Sequence, residues 1–181
     1  MKFSITRFGN PILRQKSRSL SVAEIKREEI QALITDMIKL NENENFGVGL
    51  AAPQVGKSLA VAIIDIRPTK IRPNVGVYRS VIINPMYKGI GRRQSLWEGC
   101  LSSGLGEETL FGKVLRYRKI YASWLDEKAV RHDEELTGLT AQVFQHESDH
   151  LDGILFVDKV RDSHSFMLGD EYRKMIERLK K

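Results

Sequence analysis

His146, Glu147 and His150 stand in a His-Glu-Ser-Asp-His run inside a segment with helical patterning. A helix turns once in about 3.6 residues, so the two imidazoles fall on one face, one turn apart, with the carboxylate beside them. Imidazoles at that spacing can hold a divalent metal, and an adjacent carboxylate can take a proton from water that the metal activates. Two solvated histidines on a polar helix would show the same spacing. The intervening Glu, and apolar residues leading up to the pair on the same face, favour the metal reading.

Metal hydrolysis also needs a third protein ligand and an open position for water. One protease pattern would place a third His after H-E-x-x-H-x-x-G-x-x; Gly153 fits it, but Phe156 stands where that His is required. Glu171, downstream, is a second option, although the intervening segment is short and polar. The third is Cys100, the only cysteine, set in Trp97-Glu98-Gly99-Cys100-Leu101-Ser102. A lone cysteine usually behaves as a small buried hydrophobe. A thiolate beside two imidazoles nevertheless suits a borderline-soft divalent ion.

A further stretch, Gly47-Val-Gly-Leu-Ala-Ala-Pro-Gln54, is a poor nucleotide loop, because a helix precedes it and a strand follows. Taken with Glu98–Ser102 and Gln145–Gly153, in this order, it resembles the peptide deformylases, whose motifs G-φ-G-φ-A-A-P-Q, E-G-C-L-S and Q-H-E-x-D-H-L-x-G are all matched. The likeness extends over residues 7–160.

The resemblance implies removal of the formyl group from the N-formyl-methionyl end of new polypeptides. It implies Cys100, His146 and His150 as metal ligands, Glu147 as the proton carrier, and the Gln54 side-chain amide and Leu101 N–H as oxyanion donors. Val48, Leu139 and Val143 become candidate walls of an apolar pocket for Met, and Gly49 a backbone partner for the substrate main chain. Glu98 and Asp149 could orient ligands or be surface carboxylates. The family implies Fe2+, with Zn2+, Ni2+ or Co2+ as substitutes. The chain departs from the family at residues 103–112, which are Gly-rich and lack the usual Pro, predicting a loop at the groove that is either mobile or shaped for a different downstream residue. Gln142 is expected to point to water. Two rivals stay open: an H-E-x-x-H endoprotease that does not need Cys100, and a non-catalytic ribosome-binding relative.

The elements that must position these residues follow from patterning. Ser21 and Glu24 form a capping box, and Ile30, Leu33, Ile34, Met37 and Ile38 keep a helical period to about Asn41, before a break at residues 41–47. Residues 59–66 and 81–84 read as strands, as do 114–115 and 119–125, these last two joined by a basic patch at 116–119. Residues 136–152 form the metal helix, and 170–180 a last helix with Tyr172, Met175, Ile176 and Leu179 apolar. Strands followed by a long helix predict an α+β fold: antiparallel or mixed sheets around the H-E-x-x-H helix, with a C-terminal helix.

At 181 residues, with 41% hydrophobic and 29% charged residues, the chain is expected to be a single globular domain over residues 1–181. The absence of a long apolar run or signal-like start predicts a cytoplasmic protein with no membrane association. The net charge of +6 fits either plain solubility or attraction to ribosomal RNA. The basic residues at 173–181 make the last helix the candidate ribosome tether, dispensable for hydrolysis of short peptides.

Overall fold

The computed structural model describes residues 4–43, 47–69 and 72–179. The expected break at 41–47 lies partly outside these residues, as do Lys180 and Lys181 and the first three residues of the chain.

Strand β2 (Val61–Ile66) is buried along its whole length, as its nearly continuous apolar sequence requires. Val61 and Ile63 face one side, where helix α2 (Glu28–Asn43) covers them with Ile30, Leu33, Ile34 and Met37. Ala62, Ile64 and Ile66 face the other, where helix α3 (Gly138–Leu151) contributes Ala141, Val143, Phe144 and Leu151. Side chains alternate along a strand, so a strand with apolar residues on both faces needs a cover on each.

Strands β1 (Gly49–Ala51), β2, β3 (Tyr78–Gly99), β4 (Leu110–Leu125) and β5 (Arg131–Thr137) lie in that order in one antiparallel sheet, and β6 (Met167–Leu168) pairs with β4. Helix α4 (Gly169–Leu179) follows β6 directly. The expected α+β class, with antiparallel strands around the H-E-x-x-H helix and a helix at the C-terminal end, is what the chain adopts.

Several boundaries differ from the expectations. The capping box at Ser21 and Glu24 is present, but it starts only a short helix α1 (Val22–Ile25), separated from α2 by Lys26 and Arg27. Ile38 is exposed. The expected strand at 81–84 is the start of β3, which runs 22 residues. The two short strands at 114–115 and 119–125 are one strand, β4, and the basic patch between them is part of its ladder with β3. Strand β5 was not anticipated, because its exposed polar residues lack apolar alternation; the metal helix therefore starts at Gly138. The loop at 103–112 folds on itself: Ser103 Oγ donates to Cys100 O and accepts from Leu110 N, Thr109 Oγ1 donates to Gly104 O, and residues Gly106–Glu108 form a 3-10 turn.

Candidate active site

Cys100 immediately follows β3, while His146 and His150 project from α3. Their ligand atoms lie within 4.8 Å of one another, a possible metal site. Cys100 Sγ is 3.2 Å from His150 Nε2. His146 Nδ1 lies 2.9 Å from Glu98 Oε2, and a carboxylate there fixes the proton on Nδ1 and leaves Nε2 for the ligand cluster. Glu98 is itself held by Arg116, which donates Nε to Oε1 at 2.7 Å and Nη2 to Oε2 at 2.9 Å. The same guanidinium donates Nη1 to Asp149 at 2.5 Å, and Lys159 donates to the other Asp149 oxygen at 2.6 Å. Arg116 and both carboxylates are buried, so each charge needs the others.

The electrostatics suit a cation. Burial alone would raise the Cys100 thiol, but the neighbouring His150 and His146 overcome it and bring the thiol down to about 5. Burial would likewise raise Glu98, yet hydrogen bonds from Arg116 and His146 hold it at about 2. Burial opposes charge on His146, but Cys100 and Glu98 raise it well above the ordinary imidazole range. A thiolate and a carboxylate thus stabilise positive charge at one buried point. A soft thiolate with two imidazoles is a donor set that a divalent transition ion takes readily.

Glu147 points into the same space. Its Oε2 is buried with no hydrogen-bond partner among the described residues, and burial pushes the carboxyl up to about 7. Glycine at 49 leaves room for it in this position: a Cβ there would stand 2.4 Å from Glu147 Oε1. Gln54 closes the opposite side. Its Oε1 accepts from Ala51 N at 2.8 Å, which turns Nε2 toward Ser102 Oγ at 3.2 Å and Cys100 Sγ at 3.5 Å.

These groups open onto a cavity of about 280 Å3. Val48, Gly49, Gln54, Leu101, Leu139, Val143 and Glu147 all line it, together with Cys100 and His146, so the residues singled out from the sequence converge on one space; His150 lies behind, against Cys100. Gln145 ties α3 to β4 by accepting from Tyr117 N and donating to Tyr117 O. Gln142 does not point to water: it donates to Trp97 O at 2.8 Å and lines the cavity. Glu171 is exposed and engages Lys174, away from the ligand cluster, which removes the alternative third ligand.

Sequence reasoning missed two groups. Arg116 reads in sequence as part of a basic patch between strands, yet residues 112, 114, 120, 122 and 124, buried on β4, share its parity and mark it as inward. Trp97, Phe111 and Tyr172 also line the cavity, and no local pattern could have joined them. The last helix is therefore not a detached appendage. Leu179, expected to pack, is 76% exposed, while Tyr172, Arg173 and Ile176 reach the cavity.

Fold and site together define a metallohydrolase with a thiolate and an H-E-x-x-H helix. Residues 2–166 match the model of the family described as polypeptide deformylase. A peptide deformylase of Leptospira biflexa is 39% identical over 170 residues, covering 92% of each chain. Peptide deformylase 2 of Nostoc is 36% identical over 176 residues, covering 95% of this chain and 93% of that one. Among solved structures, a class I type b peptide deformylase from Acinetobacter baumannii, bound to Met-Ala-Ser, superposes with a TM-score of 0.80 at 29% identity, covering 88% of this chain and 99% of that one. The enzyme from Thermotoga maritima gives 0.74 at 31% identity, with coverages of 90% and 99%.

The chain belongs to the polypeptide deformylase family. It is a metal-dependent hydrolase that removes the N-formyl group from the N-terminal formyl-methionine of newly synthesised polypeptides and releases formate. No described helix is long and apolar enough to cross a membrane.

Proposed function

We propose that Cys100, His146 and His150 hold the catalytic ion and that Glu147 moves the proton. The observation that carries this reading is the buried, unpartnered Glu147 Oε2 beside a compact Cys-His-His cluster. A divalent ion held there supplies Lewis acidity toward water and the formyl oxygen. Glu147 then accepts the proton of the attacking water and returns it to the leaving nitrogen. A carboxyl raised to about 7 can do both near neutral pH. Gln54 Nε2 and the Leu101 N–H donate to the developing oxyanion, and the Ala51 bond that fixes the Gln54 amide supports its role.

The methionine side chain enters between Val48, Leu139 and Val143, and the substrate backbone pairs along Gly49. Strand β1 is an edge of the sheet path, which leaves its outer side for such pairing. Fe2+ is the native ion in a reducing cytoplasm, with Zn2+, Ni2+ and Co2+ able to replace it. The whole chain, residues 1–181, acts as one catalytic domain. The outward face of α4, with exposed Lys174 and Arg178, is the contact with ribosomal RNA, in keeping with the +6 charge.

The test is formate release from a formyl-Met peptide by anaerobically purified, Fe2+-loaded protein. Cys100→Ser and His150→Ala should each lose stoichiometric metal; full metal in either would overturn the ligand set. Co-sedimentation with ribosomes should fall with rising salt and weaken in Lys174→Ala/Arg178→Ala. Unchanged co-sedimentation would remove the ribosome contact.

A further inference from the structure

Helix α4 is anchored to the rim of the active site from several directions. β6, directly before it, pairs Leu168 with Leu110 and Met167 with Phe111. The Gly169 backbone lies so close to the 106–108 turn that a Cβ would fall 2.5 Å from Gly106 O. Arg173 Nη2 reaches Glu107 at 3.4 Å.

This anchoring stacks Tyr172 on Phe111, with centroids 4.1 Å apart and planes 6° from parallel, and sets it edgewise to Trp97 at 5.7 Å. Phe111 in turn covers Gly99, where a Cβ would come within 2.7 Å of the ring. Gly99 directly precedes Cys100. The three rings therefore form one shelf that begins a single residue from the thiolate ligand and ends on the C-terminal helix. Arg72 and Arg173 line the same cavity, Arg173 with its guanidinium on Glu107 and Gly169 O, so two arginine residues border the space that this shelf lines.

We propose that α4 is a wall of the substrate groove beyond the methionine pocket, and that Tyr172 and Arg72 set the preference for the side chain that follows the N-terminal methionine. The inference rests on the cavity being the deformylation site. A face of aromatic carbon selects an aromatic side chain. Guanidinium groups at the cavity wall favour a carboxylate and repel an ammonium group. The expected order for the second residue is Phe and Glu ahead of Lys.

The test measures kcat/KM for formyl-Met-X-Ser peptides with X as Phe, Glu or Lys. Wild type, Tyr172→Ala, Tyr172→Phe, Arg72→Glu and the outward-facing Glu177→Ala are compared. Binding of the product peptides Met-X-Ser is followed separately through tryptophan fluorescence, which does not depend on turnover. Tyr172→Ala should reduce the Phe-to-Lys ratio by about tenfold, and Tyr172→Phe should restore it, because the stack survives without the hydroxyl. Arg72→Glu should invert the Glu-to-Lys order, and Glu177→Ala should leave every ratio as in wild type. Ratios that stay within about twofold of wild type in both Tyr172→Ala and Arg72→Glu overturn the wall. If wild type releases no formate but binds the products in the expected order, the wall stands and the reading of the reaction fails.

Discussion

The two helices that cover strand β2 are built from different materials. On one side α2 presents Ile30, Leu33, Ile34 and Met37 to Val61 and Ile63, an apolar contact with a single buried polar residue among those described on the helix, Asn41, near its end. On the other, α3 mixes Ala141, Phe144 and Leu151 with buried Gln145, Glu147, Ser148, Asp149 and His150. Buried polar atoms are costly unless paired. In α3 most are paired: Gln145 with the Tyr117 backbone, Ser148 with Phe144 O, and Asp149 with Arg116 and Lys159. Glu147 Oε2 and His150 Nδ1 are the exceptions on this helix, and both belong to the reacting end. The contrast separates a helix that contributes stability from one whose polar interior is spent on holding chemistry in place.

The sharpest way to break this comparison is Glu147→Ala. It should lower deformylation by roughly 10²–10⁴-fold while metal content stays unchanged. Near-wild-type turnover by the loaded variant would place Glu147 with the bystanders. Next comes Arg116→Ala, which strips the shared buried cation from Glu98 and Asp149 and should cost about 3–5 kcal/mol in denaturant unfolding. Arg116→Met, which keeps volume but not charge, leaves Glu98 with His146 and Asp149 with Lys159 as their remaining ionisable partners, and should not rescue it. Full rescue by Met would mean the network is only packing.

On the α2 side, Met37→Ala should cost roughly 2–5 kcal/mol through its cavity, yet leave kcat/KM within about twofold. A large catalytic loss there would erase the division of labour between the helices.

Acid titration sharpens it further. Glu98 is held at about 2, below its ordinary 4.5, so the stability it contributes is complete above pH 4.5 and is lost as pH falls through about 2. Thermal melts should drop across that window in wild type and follow a flatter course in Glu98→Gln. The smallest effect belongs to the exposed Lys174–Glu171 pair at 2.7 Å: Glu171→Gln should shift stability by no more than about 0.5 kcal/mol.

Much of the site could be read from the chain because its determinants are local. The spacing of His146, Glu147 and His150 places them on one helical face whatever surrounds that helix. The nearly continuous apolar run at 59–66 marked a strand, and β2 occupies residues 61–66 of it. Local patterning failed where burial was decided by distant partners. Arg116 carries the sequence signature of a surface cation. It is buried because Glu98, on the neighbouring strand, and Asp149, 33 residues later, neutralise it. Polar β5 carries no strand signature because an edge strand with one face to water needs little apolar alternation.

The sequence alone determined which residue types could bind a cation and carry a proton, since helical periodicity and side-chain chemistry travel with the chain. Tertiary structure decided what surrounds them. It brought Cys100 within 3.2 Å of His150, closed Gly49 over Glu147, and set Tyr172 on Phe111 across 61 residues of chain. Those contacts join segments remote in sequence, and only the packing of the sheet against α3 and α4 fixes their distances. A local pattern fixes direction along one element, but the dielectric around a carboxylate and the shape of a groove are set by elements the pattern never sees.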